Sequence, residues 1–285
     1  MNSVLRCGDR QLAIGTRTFV MGIVNVTPDS FSDGGAFLDP ARAIDQGMRL
    51  LDDGADLLDI GGESTRPGAA GVDVDVEIGR VLPVIEGLVA RGVTCLSIDT
   101  RHTRVAAAAL AAGASWVNDV SALLDEGMVT VAARAQAVVL MHARAAPWDR
   151  RQDYVAYDDV VADVLAFLRE RVAVAVAGGV DAARIVVDPG LGFGKSVEDN
   201  VRLLANAEAF GVLGPVLIGA SRKRFLGVLA GRGDVVDRDP ASVGAACAAA
   251  IAGAHLVRVH AVRQTVDALR VVDAVVHGAL RAAPP

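Results

Sequence analysis

At 285 residues, with 52% hydrophobic and 22% charged side chains, the chain can bury a large core, which excludes disorder. A net charge of −6 and few aromatics (7 Phe, 2 Tyr, 2 Trp) argue against nucleic-acid binding, which needs basic surface and stacking platforms. No apolar run is long enough to span a bilayer, and Met1–Arg10 lacks the apolar core of a secretion signal. Cys7, Cys95 and Cys247 are scattered and without metal-type spacing, so zinc is not expected and a reducing cytoplasm is.

In chain order, Val4 to Ile14 reads as a hairpin turned at Gly8-Asp9. Eight short apolar strands follow: Phe19–Val24, Leu57–Ile60, Thr94–Ile98, Trp116–Val117, Ala137–Met141, Arg184–Val187, Val216–Ile218 and Leu256–Val259. Helical patterns separate most of them, at Ala41–Asp53, Asp75–Arg91, Thr103–Ala112, Asp158–Ala177, Val197–Phe210 and Ala241–Gly253, with Val262–Val276 last. Glycines at Gly54, Gly92, Gly113, Gly178-Gly179 and Gly211 read as left-handed helix caps before the next strand. Strands joined through single helices pair in parallel with right-handed crossovers. Eight of them predict an α/β fold, a (β/α)8 TIM barrel with a short N-terminal β-hairpin, in preference to an open doubly wound sheet. One domain is expected over 1–285: a hairpin to residue 16, a barrel over 17–278 and a tail over 279–285.

Each strand ends on or near a polar residue: Asn25, Asp59, Asp99, Asn118, His142, Asp188, Ser221 with Lys223, and Arg258 with His260. In a parallel barrel these positions share the C-terminal rim, where barrel enzymes place their sites. Helix capping would account for the Asp and Asn residues, but not for His142, Lys223, Arg258 and His260. Asp99, Asn118, Asp188 and Lys223 mix acceptors and donors in a way that suits a flat heterocycle, a pterin or a purine, held by its edge. For Asp99 the competing reading is a cap on the helix near Thr103, and for Asn118 a buried amide satisfied by backbone. Arg66, Arg258 and His260 suit a diphosphate, with Asn25 giving an oxygen to a weakly held Mg2+. Gly190 to Ser196 is close to a Walker loop, but Pro189 stands where the first glycine must be. Only Lys195 and Lys223 are lysines, and both lie just past a strand.

Five stretches carry a resemblance that covers nearly the whole chain, from about Phe19 to Ala274. They are Gly22 to Gly35 (GIVNVTPDSFSDGG), Asp59 to Gly68 (DIGGESTRPG), Asp188 to Lys195 (DPGLGFGK), Gly219 to Phe225 (GASRKRF) and Arg258-Val259-His260. In this order they closely resemble the dihydropteroate synthases. The resemblance implies a pterin-binding TIM barrel of folate biosynthesis that joins 6-hydroxymethyl-7,8-dihydropterin diphosphate to p-aminobenzoate and releases diphosphate. It implies pterin binding by Asp99, Asn118, Asp188 and Lys223. The diphosphate falls to Asn25 with Mg2+, Thr65, Arg66, Arg258 and His260. The p-aminobenzoate site falls to Phe31, Pro67, Phe193 and Ser221. Asp33 would face the reacting methylene, making Asp33, Lys223, Arg258 and His260 the catalytic set. It also implies a cytoplasmic enzyme with small-molecule partners only, a sulfonamide target, and a homodimer packed through the Ala-rich last two helices. The loops Val26–Gly35 and Gly61–Gly71 would close over the site.

Two departures stand out. Ala261 follows His260 where an acidic or amide residue is usual, and Ser121-Ala122-Leu123 lacks the small glycine pair usual after Asn118-Asp119. Neither touches an assigned residue, so activity is expected to be retained. The rival readings are a methyltetrahydrofolate-binding methyltransferase barrel, which has no use for the diphosphate cluster, and a catalytically silent pterin-binding paralogue.

Overall fold

The structure, a computed structural model, describes residues 3–27, 39–64, 71–143 and 156–278. Among the described residues ten strands run in chain order: β1 (Val4–Cys7), β2 (Arg10–Ala13), β3 (Phe19–Asn25), β4 (Leu57–Gly61), β5 (Leu96–Asp99), β6 (Trp116–Asp119), β7 (Ala137–Met141), β8 (Ile185–Asp188), β9 (Leu217–Ile218) and β10 (Leu256–Val259). β1 and β2 pair antiparallel with Val4 opposite Ala13, and Gly8 supplies the left-handed turn at φ 62°. The other eight pair in parallel in the order β8-β7-β6-β5-β4-β3-β10-β9. A bridge from Val187 to Val216 brings β8 beside the entry to β9 and closes the ring. The predicted (β/α)8 barrel with its hairpin is the observed fold.

Period-two alternation builds two cores. Phe19, Met21, Leu57, Cys95, Trp116, Val139, Val186 and Leu256 fill the barrel interior with the hairpin's apolar face, Leu5, Cys7, Leu12 and Ile14. Their neighbours Val20, Val24, Leu58, Val117, Val138, Val187 and Val257 point outward into the layer of helices. The hairpin therefore plugs the N-terminal end of the barrel. Trp116 Nε1 donates to the Arg6 carbonyl at 2.7 Å, and a disulfide joins Cys7 to Cys95 across a Cα separation of 4.8 Å. The cysteines are thus not all scattered. An 88-residue separation hides the pairing in the sequence, and Cys247 alone stays free.

Outside lie α1 (Pro40–Asp52), α2 (Val74–Val89), α3 (Thr103–Ala111), α4 (Met128–Ala132), α5 (Val160–Ala177), α6 (Val197–Ala205), α7 (Arg224–Ala230), α8 (Asp239–Ile251) and α9 (Val262–His277). Their starts follow local chemistry. Asp39 and Asp73 cap α1 and α2, and Ser196 with Asp199 forms a capping box on α6. The expected helix over Val197–Phe210 breaks at Asn206 (φ −116°, ψ 32°) into α6 and a 3-10 turn over Ala207–Val212. The left-handed glycine before β9 is accordingly Gly214, not Gly211. Two short helices, α4 and α7, carry too little periodicity to be predicted. Among the described residues no helix is long and apolar enough to cross a membrane.

Candidate active site

The alternation that fills the barrel also aims its polar ends. Counting inward positions upward, β3 ends on Asn25, β4 carries Asp59, β5 ends on Asp99, β6 carries Asn118, β8 ends on Asp188, and β10 carries Arg258. Register aligns Asn25, Asp99 and Asn118: Asn25 lies opposite Gly61, Gly61 opposite Asp99, and Asp99 opposite Asn118, while Asp59, opposite Ser97, sits one inward position lower. Above them opens a cavity of about 480 Å³, a size that suits a bicyclic ring with a substituent. Asn25, Asp99, Asn118, Asp188, Phe193, Ser221, Lys223, Arg258 and His260 all line it.

The floor is a charge network. Arg258 donates from Nε to Asp59 Oδ2 at 2.5 Å and from Nη2 to Asp99 Oδ2 at 2.6 Å. Asn118 Nδ2 donates to the same Asp59 oxygen at 2.9 Å. Burial pushes the Asp99 carboxyl up to about 7, with Arg258 pulling against it and Asp59 adding to it. Burial also raises Asp188, opposed by Lys223. Burial draws the Lys223 ammonium down to about 8, opposed by Asp188. The Arg258 guanidinium is disfavoured by burial, but the carboxylates of Asp59 and Asp99 outweigh that and hold it above its ordinary value. The site thus sets Arg258, held charged, beside an acid raised and an ammonium lowered toward neutrality, an arrangement common at functional clefts.

Polar and aromatic side chains lie beside this floor. His260 Nδ1 meets Ser221 Oγ at 2.9 Å, its backbone N–H donates to the same hydroxyl at 3.1 Å, and Nε2 faces Asn25 Nδ2 at 3.5 Å. Lys223 Nζ sits 4.6 Å from the Phe193 ring centroid and donates to the Leu191 carbonyl. Asp188 Oδ1 accepts the Gly190 N–H at 2.7 Å, which fixes the loop after β8.

A family model described as "Pterin binding enzyme" matches residues 21–260. The dihydropteroate synthase of Mycobacterium leprae is 48% identical over 266 residues, covering 90% of this chain and 93% of its own. That of Escherichia coli K12 is 41% identical over 257 residues, covering 90% of each chain. The chain belongs to the dihydropteroate synthase family. Among solved structures, the Xanthomonas albilineans dihydropteroate synthase with 4-aminobenzoic acid aligns at a TM-score of 0.89 and 51% identity, covering 96% of this chain and 98% of that one. The same enzyme in complex with 7,8-dihydropteroate aligns at 0.85 and 49%, covering 95% and 98%.

Against that family frame, nine of the expected site residues meet in the cavity. Phe31, Asp33, Thr65, Arg66 and Pro67 lie outside the described residues. Neither competing reading of the acids matches the contacts. α3 begins after His102 with no side-chain cap, and Asp125, not Asp99, accepts the Thr103 N–H at 2.8 Å. Asn118 is satisfied by a carboxylate instead of by backbone. The expected division between acids for the ring and cations for the leaving group is less sharp than the sequence implied, because Arg258 rests against Asp99, one of those acids.

Lys195 has a different part from Lys223. Its Nζ contacts His142 Nδ1 at 2.9 Å and the carbonyls of Gly190 and Phe193 at 2.8 and 3.1 Å, so it braces the loop after β8 from within. Asp59, read from sequence as a possible cap, is the residue most underrated there. It accepts from both Asn118 and Arg258, and only strand register reveals this. Ala122 (φ 55°) and Leu123 (φ 65°) adopt the left-handed conformation for which this family's usual glycines are suited. Asp119 holds the turn by accepting from Ser121 and Leu123, and Arg171 donates to both left-handed residues' carbonyls.

Among the described residues, two places bear on metal binding. Glu63, Glu77 and His102 bring three donor atoms within 4.8 Å of one another, but Arg101 grips Glu63 with two hydrogen bonds and His102 holds Glu77 at 2.6 Å. The ion pairs engage both Glu63 oxygens and Glu77 Oε2, while Glu77 Oε1 is buried without a hydrogen-bond partner among the described residues. Asn25 is a neutral oxygen donor on the cavity wall beside His260, which fits a hard cation that takes its remaining ligands from a substrate.

Proposed function

We propose that the cavity binds 6-hydroxymethyl-7,8-dihydropterin diphosphate and p-aminobenzoate and joins them into dihydropteroate. Asp99, Asn118 and Asp188 accept and donate along the pterin edge, and Lys223 donates to it. His260, Arg258 and Asn25, with Thr65 and Arg66, receive the diphosphate. Phe193, Ser221, Phe31 and Pro67 bound the place of p-aminobenzoate, and Asp33 faces the methylene. What supports this reading above all is that Asp99 and Asp188 share one cavity with Arg258 and His260.

The chemistry follows from that juxtaposition. Breaking the pterin C–O bond leaves positive charge on the ring side and negative charge on the diphosphate, and a preset arrangement of opposite charges favours both. Asp99 and Asp188 face the electron-poor ring, while Arg258 and His260 face the departing oxygens. The amine of p-aminobenzoate then forms the new C–N bond and loses a proton, so no strong general base is needed. Mg2+, held by Asn25 and the substrate oxygens, would supply further charge neutralisation at the leaving group. A methyl transfer would leave the Asn25, Arg258 and His260 group without a task.

The reading extends to the whole molecule as one domain over 1–285. Exposed Val271 and Val275 on α9 and Ile251 on α8 favour a homodimer through these helices, which mass measurement in solution tests. A cytoplasmic setting belongs to the same reading, although the Cys7–Cys95 bond removes the support that the cysteines lent it. The deciding assay incubates the protein with the pterin diphosphate, p-aminobenzoate and Mg2+. Dihydropteroate and diphosphate should appear in equal amounts. Methyl transfer without diphosphate, or binding without turnover, would refute the proposal.

A further inference from the structure

Asp59 is fully buried, and it does not line the cavity, so no substrate reaches it. A carboxylate in the barrel interior is costly unless its charge and lone pairs are used. Both of its partners belong to the cavity wall: Arg258 through Nε at 2.5 Å and Asn118 through Nδ2 at 2.9 Å, on the same oxygen. Its other oxygen, Oδ1, is buried and has no hydrogen-bond partner among the described residues, so the group is not there to complete an internal network. Its inward partner on the next strand, Ser97, likewise has a buried hydroxyl without a partner.

The guanidinium contacts are unequal in what a ligand can do to them. Arg258 Nη2 rests on Asp99, which lines the cavity and is assigned to the ring. A bound pterin competes for that carboxylate. The Nε contact lies below the cavity floor on Asp59, where nothing competes. We propose that Asp59 is a positioning residue of this reaction. It tethers Arg258 by Nε so that the Nη arm can leave Asp99 for the leaving group while the guanidinium keeps its place, and it fixes the Asn118 amide for the ring. One buried carboxylate thereby sets the spacing between the two ends of the substrate. Arginine is required for this double duty, because its fork presents Nε and Nη in different directions and lysine has one head. The inference rests on the assignment of Arg258 and Asn118 made above.

The test is a double-mutant cycle with kinetics on the full chain, using pterin diphosphate, p-aminobenzoate and Mg2+, together with calorimetric binding of the bare 6-hydroxymethylpterin. Asp59→Asn should lower kcat about tenfold while KM for p-aminobenzoate stays within twofold. Its affinity for the bare pterin should fall at least threefold, since Asn118 loses its charged acceptor. Arg258→Ala should lower kcat about a hundredfold, and adding Asp59→Asn to it should cost no more than a further twofold. Arg258→Lys, which preserves the charge and is not expected to disturb folding, should lose kcat about as much as Asp59→Asn. Losses that multiply in the double variant, or an Arg258→Lys enzyme within twofold of the parent, would overturn the tether. A bare-pterin affinity unchanged in Asp59→Asn would overturn the Asn118 half of it. An Arg258→Ala enzyme with undiminished kcat would instead remove the assignment of Arg258 on which the inference stands.

Discussion

Replacing Asp99 by Asn should stabilise the fold above neutral pH even as it removes pterin binding. In the folded protein burial lifts this carboxyl from 3.8 to about 7. At about 1.4 kcal/mol per unit the three-unit difference sets a ceiling of about 4 kcal/mol for holding it ionised in the native state. Water and ions reaching the open cavity screen part of that, so a gain of roughly 2 kcal/mol is expected for the amide, which keeps the size and an acceptor for Arg258. The gain has a signature in pH. Between about pH 4 and about pH 7 the folded protein keeps a proton on Asp99 that the unfolded chain has released, so parental stability falls as pH rises through that window. The Asn variant lacks this slope. Urea denaturation of both proteins at half-unit steps from pH 4 to 8 measures it, because other titrating groups cancel in the difference. The advantage of Asp99→Asn should be near zero at pH 4 and should plateau above pH 7. An advantage independent of pH, or a variant less stable than the parent at pH 8, would refute the argument that burial strains this acid.

Asp188→Asn should abolish binding of the bare pterin, measured by calorimetry, because the ring then loses a carboxylate that Lys223 helps keep charged. Leu123→Gly removes left-handed strain of about 1–2 kcal/mol but gives up a buried side chain worth about 3–4 kcal/mol, so the melting temperature should fall, whereas Ala122→Gly should leave it nearly unchanged. Thiol titration in denaturant should find one reactive cysteine before reduction and three after it. Reduction should cost at most about 4–5 kcal/mol of stability through the reopened 88-residue separation, and three thiols at the outset would exclude the Cys7–Cys95 bond.

The barrel was legible because its two signals repeat. Each strand is a short apolar run, and each alternates between interior and helix layer, as Phe19 and Met21 do against Val20 and Val24. The strand ends followed, since parallel pairing leaves them only one rim to share. What escaped the sequence depends on distances that only register sets. Arg258 and Asp59 are 199 positions apart and Arg258 and Asp99 159, and nothing local announces that one guanidinium spans two strands. Cys7 and Cys95 meet for the same reason, through the hairpin's seat under β5.

The turn at Ser121-Ala122-Leu123 escaped for another reason. Its sequence offers no glycine where the backbone is left-handed, so propensity argued against the conformation. Asp119 and Arg171 impose it through five hydrogen bonds, and Ala122 and Leu123 recover burial from it. Local rules fail here because tertiary contacts outweigh them, and Asp59 shows the same inversion in the barrel. A buried acid that looks like a defect when counted alone makes sense once the cation it holds is given two places to point. In this fold many side chains that line the cavity could be listed from the strand ends. The one that aims them had to be found one layer lower.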